Sequence, residues 1–201
     1  MKNKDEKKIM VTSLVLLIVV LWTGNSATWA QPADPEEYQE SATPEGYVLV
    51  EEDVLMMFTE APGEQFHRAN ELFKAGQFKQ CAEHIRRGAA YLKLQQARAD
   101  IQGRRELEGA VKALDKLAQD VEFGKVNEAS RLESAFARAH HALARHHKIK
   151  AERYQRQEAK DKLVKAMKAA GSHLESGFKW TGRQLDGGTR TVIRETKELP
   201  G

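Results

Sequence analysis

The chain has 201 residues, 41% hydrophobic, 30% charged and 7% aromatic, with five Pro, one Cys and a formal net charge of +3. That apolar content suffices for one modest core, and a single Cys excludes a disulfide scaffold. Once a targeting segment is set aside, the remainder fits one domain, and long stretches rich in Ala, Lys, Arg, Glu, Gln and Leu point to an all-α fold.

Residues 1–30 read as a secretory signal peptide. Lys2, Lys4, Lys7 and Lys8 form a basic start. Ile9 to Trp22 is apolar apart from Thr12 and Ser13, and Thr23 to Ala30 ends in small and polar residues. The apolar run has 14 residues, whereas a membrane-spanning helix needs about 20, so export to the periplasm with cleavage after Ala30 is expected. The alternative is an uncleaved inner-membrane anchor over residues 9–22. No Cys follows the run to carry a lipid, and Cys81 alone cannot form an internal disulfide.

Residues 31–63 form an acidic arm. Gln31 to Glu45 holds Pro32, Pro35 and Pro44 among acids and lacks the apolar material to fold by itself. Tyr47 to Phe58 has two apolar clusters around Glu51-Glu52-Asp53, which suggests an extended piece and a turn of helix packed on the body. Pro62-Gly63 then punctuates the start of regular helix. Without residues 1–30 the chain holds 28 basic and 27 acidic residues. The balance is uneven: residues 31–60 carry nine acids and no Lys or Arg, and residues 61–201 carry 28 basic residues against 18 acids. The arm can neutralise its own body, or the body can meet an anionic envelope component such as lipid headgroups or polysaccharide. Nucleic acid is not expected, because the basic residues are interleaved with acids.

Over residues 64–185 the apolar residues recur at helical spacing. Phe66, Ala69 and Phe73 share a stripe that Gly76 stops. Phe78, Ala82, Ile85, Ala89 and Leu92 alternate fours and threes, as in a coiled coil, and the pattern runs on through Leu94, Ala97 and Ile101 to Gly103. Leu107, Val111, Leu114, Ala118 and Val121 precede a stop at Phe123-Gly124. Asn127 is a good N-cap for a helix carrying Leu132, Phe136, Ala139 and Leu143. Leu163, Met167, Ala170, Leu174 and Phe178 form the last long stripe, with Gly171 and Gly177 weakening it. Trp180 reads as a packing residue near that helix's end. The predicted architecture is an antiparallel bundle of five or six helices built from two helical hairpins, with an extended N-terminal arm. Residues 186–201 read as a flexible C-terminal segment, or a short helix anchored by Val192 and Ile193.

Phe66 to Phe73 is echoed seventy residues later by Phe136 to Leu143, with Phe, Arg and Ala in common. In the first copy a turn at Lys74 to Gln77 leads into a second helix. In the second copy Arg145 to His147 is either the equivalent turn or part of one unbroken helix from Asn127 past Tyr154. This pattern of Ala-rich helix, short polar turn and helix, over Ala69 to Leu92 and Ala139 to Leu174, resembles the hairpins of YfdX-type exported bacterial proteins and, more loosely, tetratricopeptide hairpins. The resemblance implies an all-helical periplasmic protein with a non-enzymatic, chaperone-like or envelope-stress role, and it supplies no catalytic residues.

The chemistry-bearing motifs are few. The sequence has no G-x-S-x-G, no G-x-x-x-x-G-K-[ST], no H-E-x-x-H and no C-x-x-C-H, so no catalytic residue and no resident cofactor are assigned. Histidine is the suggestive usage: His67, His84, His140, His141, His146, His147 and His173. On an unbroken helix His140 and His147 face inward and His141 points away. Cys81 and His84 are spaced i,i+3, and with His140 and His147 from a facing helix they form the one candidate metal set, suited to zinc or copper. Against it stands the reading of Cys81 as a small core residue with His84 at its boundary. The expected function is that of an exported non-catalytic binding or envelope-stress protein, with an unknown protein or an anionic envelope component as partner and a homo-oligomer possible. The alternatives are a periplasmic metal-binding protein or a membrane-tethered structural protein.

Overall fold

A computed structural model describes residues 61–182 and 186–198, all within the second of the chain's two units, Phe58–Gly201. The expected signal peptide, residues 1–30, and all but the last three residues of the acidic arm lie outside the described residues. Six helices follow in order: α1 Ala61–Lys74, α2 Phe78–Gln96, α3 Ile101–Glu122, α4 Ala129–Arg156, α5 Lys160–Thr181 and α6 Gly187–Glu198. Among the described residues no helix is long and apolar enough to cross a membrane. Each helix packs on the next, and α4 also meets α1 and α2, which puts α4 at the centre of a helical bundle.

The connections are set by local chemistry. Helix α1 ends as expected at Gly76, whose φ of 72° is a conformation glycine adopts without a Cβ clash. Its N–H donates to the Phe73 carbonyl, and the Gln77 N–H donates back to Leu72 at 2.9 Å. Gly124 closes α3 in the same way, with the Lys125 N–H reaching the Asp120 carbonyl at 2.8 Å. Helix α4 repeats the device with Glu158 at φ 56°, a conformation that costs a side-chain-bearing residue about 1 kcal/mol.

Two boundaries differ from the sequence expectation. The stripe from Phe78 does not run through to Gly103. Helix α2 stops at Gln96, and Asp100 caps a new helix, its Oδ1 accepting from the Gly103 N–H at 2.7 Å. Leu94 and Ile101 therefore flank a turn and stand 50% and 70% exposed instead of in the core. Helix α4 begins at Ala129 after Glu128, which makes no side-chain cap, so Asn127 is not the N-cap. The choice at Arg145–His147 resolves to one continuous helix, and the second hairpin turns at 157–159. The C-terminal segment is helical over Gly187–Glu198, with Val192, Ile193 and Thr196 buried and Gly171 of α5 facing Ile193 and Thr196.

The core centres on aromatic contacts between α1, α4 and α5. Phe66 stacks on Phe136 with centroids 4.5 Å apart, and Trp180 meets Phe136 edge-on at 5.1 Å. Gly88 lets α2 close on α1, since a Cβ there would stand 2.3 Å from the Phe66 ring. Burial of Leu92, Leu107, Leu114, Leu132 and Leu143 completes the apolar interior; each side chain contributes about 1.5–3 kcal/mol. Salt bridges Arg86–Glu122, Lys93–Asp115 (3.0 Å) and Arg145–Glu106 (2.8 Å) tie α2 to α3 and α3 to α4 at the rim.

Candidate functional site

The interior of a helical bundle is ordinarily apolar, because a polar group removed from water loses its hydrogen bonds. In this bundle four imidazoles, His140, His146 and His147 of α4 and His173 of α5, are buried together. The continuity of α4 sets their order. His140 and His147 lie seven residues apart, hence two turns along one face, and His146 stands beside His147 with ring centroids 5.2 Å apart. His173 fits between the two turns. Its Nδ1 is 3.3 Å from His140 Nδ1, and its ring stacks on His147 at 5.5 Å and 23°. One of the two Nδ1 atoms carries the proton and donates to the other, so the two neutral rings have opposite tautomers.

The layer is enclosed from several sides. The Phe66 edge meets His140 in a T-shaped contact at 5.5 Å. Gly63 of α1 leaves just enough room, with a Cβ position 3.7 Å from His140 Cε1. On the opposite side Gly103 of α3 faces His146, a Cβ there standing 3.2 Å from Nδ1. Helix α5 approaches α4 closely because Gly177 has no side chain: its Cβ position is 3.4 Å from the Ala137 carbonyl and 3.5 Å from His140 Cβ. Among the described residues Nε2 of His140, Nε2 of His173 and both ring nitrogens of His147 lack hydrogen-bond partners.

The electrostatics all run in one direction. Burial, reinforced by His67 and His141, pushes His140 down to about 3. Burial first, then His173, His146 and Lys150, holds His147 well below the ordinary imidazole value. His173 is depressed likewise by burial, then by His140 and His146. The charged neighbours that act on these three rings are all potential cations. On α3, Asp100 caps its own helix, and Glu106 pairs with Arg145 while burial raises its pKa. Protonating His140, His147 or His173 therefore adds a positive charge in the core beside other potential cations.

The four residues of the candidate metal set are distributed differently. Cys81 is fully buried, and burial raises its thiol to about 11, which keeps it protonated at neutral pH. His84 lies at the core boundary, its Nδ1 2.8 Å from Gln65 Oε1, and its pKa is lowered by burial and by Arg87 and Arg68 against Glu83. His140 and His147 face inward as the helical wheel predicts, but they meet His173. Among the described residues no group of three or more His, Cys, Asp and Glu stands in a metal-holding arrangement. His141 is half-buried, against Phe178 at 5.9 Å.

Sequence reasoning missed His173 and the depth of His146. The signal for His173 is a second stripe on α5, Ala166, Ala169, His173, Gly177 and Trp180, all buried. Ala170, Leu174 and Phe178 of the predicted stripe are only half-buried. Small residues win that face because they let the two backbones approach, and the histidines occupy the space left over. His67 of α1 covers Trp180 at 4.6 Å, so Trp180 is a packing residue.

Compared with protein-family models, with curated proteins and with solved structures, the chain finds no match in any of the three.

Proposed function

We infer that this chain is an exported, non-catalytic helical protein of the cell envelope that responds to acid by loosening its α4–α5 core and so exposing a binding surface. The observation that supports this reading is the layer of His140, His147 and His173, held neutral across the principal helix–helix contact. Imidazole is the one ordinary side chain whose charge changes between pH 5 and 8, so burying it neutral ties the stability of the fold to pH. An environment outside the cytoplasm is where pH swings reach a protein directly, which agrees with the basic start and short apolar run of residues 1–30. Opening would present the Ala-rich faces of α4 and α5, a surface suited to an exposed apolar segment of another protein.

Hydrogen exchange on the natively recovered protein at pH 7.5 and 5.5, corrected for the intrinsic rate, tests the reading. Amides of α4 and α5 facing the histidines are expected to lose protection at pH 5.5 before those of the α2–α3 pair. Equal loss throughout, or no loss, overturns the acid response. N-terminal sequencing separately tests export, with Gln31 as the expected first residue; recovery of Met1 from a membrane fraction overturns the cleavage.

A further inference from the structure

A second feature, independent of the histidines, is the end of the α4–α5 hairpin. Residues 148–168 hold eight basic side chains, Lys148, Lys150, Arg153, Arg156, Lys160, Lys162, Lys165 and Lys168, against Glu152, Glu158 and Asp161. The α2–α3 pair differs: over residues 78–122 it sets nine basic residues against seven acids, and cross-helix ion pairs consume several of them. At the α4–α5 end Lys148 pairs with Glu152 at 3.4 Å within α4. Arg156, Lys160, Lys162 and Lys168 have no carboxylate within ion-pair distance among the described residues. Lys162 Nζ lies 6.0 Å from the centre of the Tyr154 ring, and the Arg153 guanidinium lies over the same ring at 5.2 Å.

Helix stability does not account for this arrangement. Lys160 and Lys162 occupy the first turn of α5, where the helix dipole already presents positive charge, and Ala159 at the cap offers no acceptor. Arg156 adds to the same spot from the last turn of α4. The end is convex, being a turn between two helices. The exposed large apolar side chains, Phe78, Leu94, Ile101 and Phe123, all lie on other elements. A protein partner of ordinary affinity needs an apolar anchor, and a glycan is normally held in a groove; a convex cationic tip without either fits an extended anionic plane.

We propose that the α4–α5 hairpin end docks electrostatically on an anionic phospholipid surface through Arg156, Lys160, Lys162 and Lys168, without inserting into it. Basic residues close to such a surface each strengthen binding about five-fold, and the attraction decays within a Debye length of about 10 Å at 0.1 M salt.

Sedimentation with vesicles tests the proposal, using the natively recovered chain and phosphatidylglycerol–phosphatidylcholine or pure phosphatidylcholine vesicles. Binding is read as the anionic-to-neutral ratio, so that any contribution of residues 9–22 cancels. At 50 mM salt a clear anionic preference is expected, lost by 500 mM. Replacing Arg156, Lys160, Lys162 and Lys168 with Gln should lower the ratio by about two orders of magnitude or more. The control variant, with Lys74, Lys79, Arg87 and Lys112 changed to Gln, should retain it, and both should melt close to the parent because seven of the eight side chains are exposed and Lys168 is half-buried. Equal loss in the two variants, or no anionic preference at low salt, overturns the proposal. So does tighter binding to a soluble anionic polysaccharide than to the vesicles. Hydrogen-exchange failure of the acid response leaves this result untouched, so the two readings fall separately.

Discussion

Lowering the pH from 7.5 to 5.5 probes the histidine layer while staying above the range in which ordinary carboxylates protonate. An imidazole that titrates near 6.5 when unfolded and remains neutral when folded lets the unfolded state bind the extra proton. Stability is then fully present above pH 6.5 and falls below it, levelling off only when the folded-state group itself protonates, near pH 3 for His140. At pH 5.5 each such group removes about 1.4 kcal/mol, and His140, His147 and His173 together remove about 4 kcal/mol. A domain has about 5–15 kcal/mol in total, so this loss is a large share. Urea unfolding at pH 7.5, 6.5 and 5.5 measures it. In His147→Leu and His173→Leu the pH-dependent loss should shrink by about 1.4 kcal/mol each, whatever the variants do to stability at pH 7.5, because every other titrating group is shared with the parent. A parent whose stability is flat over this range, or leucine variants with the parent's full pH dependence, would refute the assignment of neutral, acid-labile rings.

Gly88→Ala should destabilise the fold by about 1–2 kcal/mol despite its better helix propensity, since the new methyl collides with a Phe66 ring already stacked on Phe136; a rise in melting temperature would contradict that packing. Asp100→Ala removes the acceptor for the Gly103 N–H and should cost about 1 kcal/mol in a denaturant titration, with Asp100→Asn retaining most of it. Glu158→Gly should stabilise by about 1 kcal/mol by relieving the left-handed conformation at the α4–α5 turn, and loss of stability would mean that the Glu158 side chain has a role there. Zinc or copper added to the folded protein at pH 7.5 should give no saturable change in melting temperature, because Cys81 stays a thiol and His84 pairs with Gln65; a stoichiometric shift lost in a Cys81→Ala, His84→Gln variant would restore the metal set.

Helices were legible in the sequence wherever one strong period was bounded by a glycine. Phe66, Ala69 and Gly76, or Leu107, Val111, Val121 and Gly124, place α1 and α3 with little ambiguity. Where two good signals competed, the period misled. The spacing through Leu94, Ala97 and Ile101 is helical by count, yet Asp100 offers the backbone a cap, and the chain turns there. At Glu158 no glycine announced the turn, because the packing of α5 against α4 holds an unfavourable backbone conformation that local preference alone would not choose.

The sequence by itself determined that the chain is all-helical and that each helix is apolar on one side. It also placed His140 and His147 on the inward face of α4, because these properties follow from spacing along one helix. Only the tertiary structure decided which face of α5 meets α4. Tight approach at Ala166, Ala169 and Gly177 outweighs the larger but more weakly packed Leu174 and Phe178, and that choice of rotation brings His173 between His140 and His147. A pair of inward histidines on one helix becomes a buried layer only through that rotation, since burial and mutual proximity depend on what a second helix places opposite them.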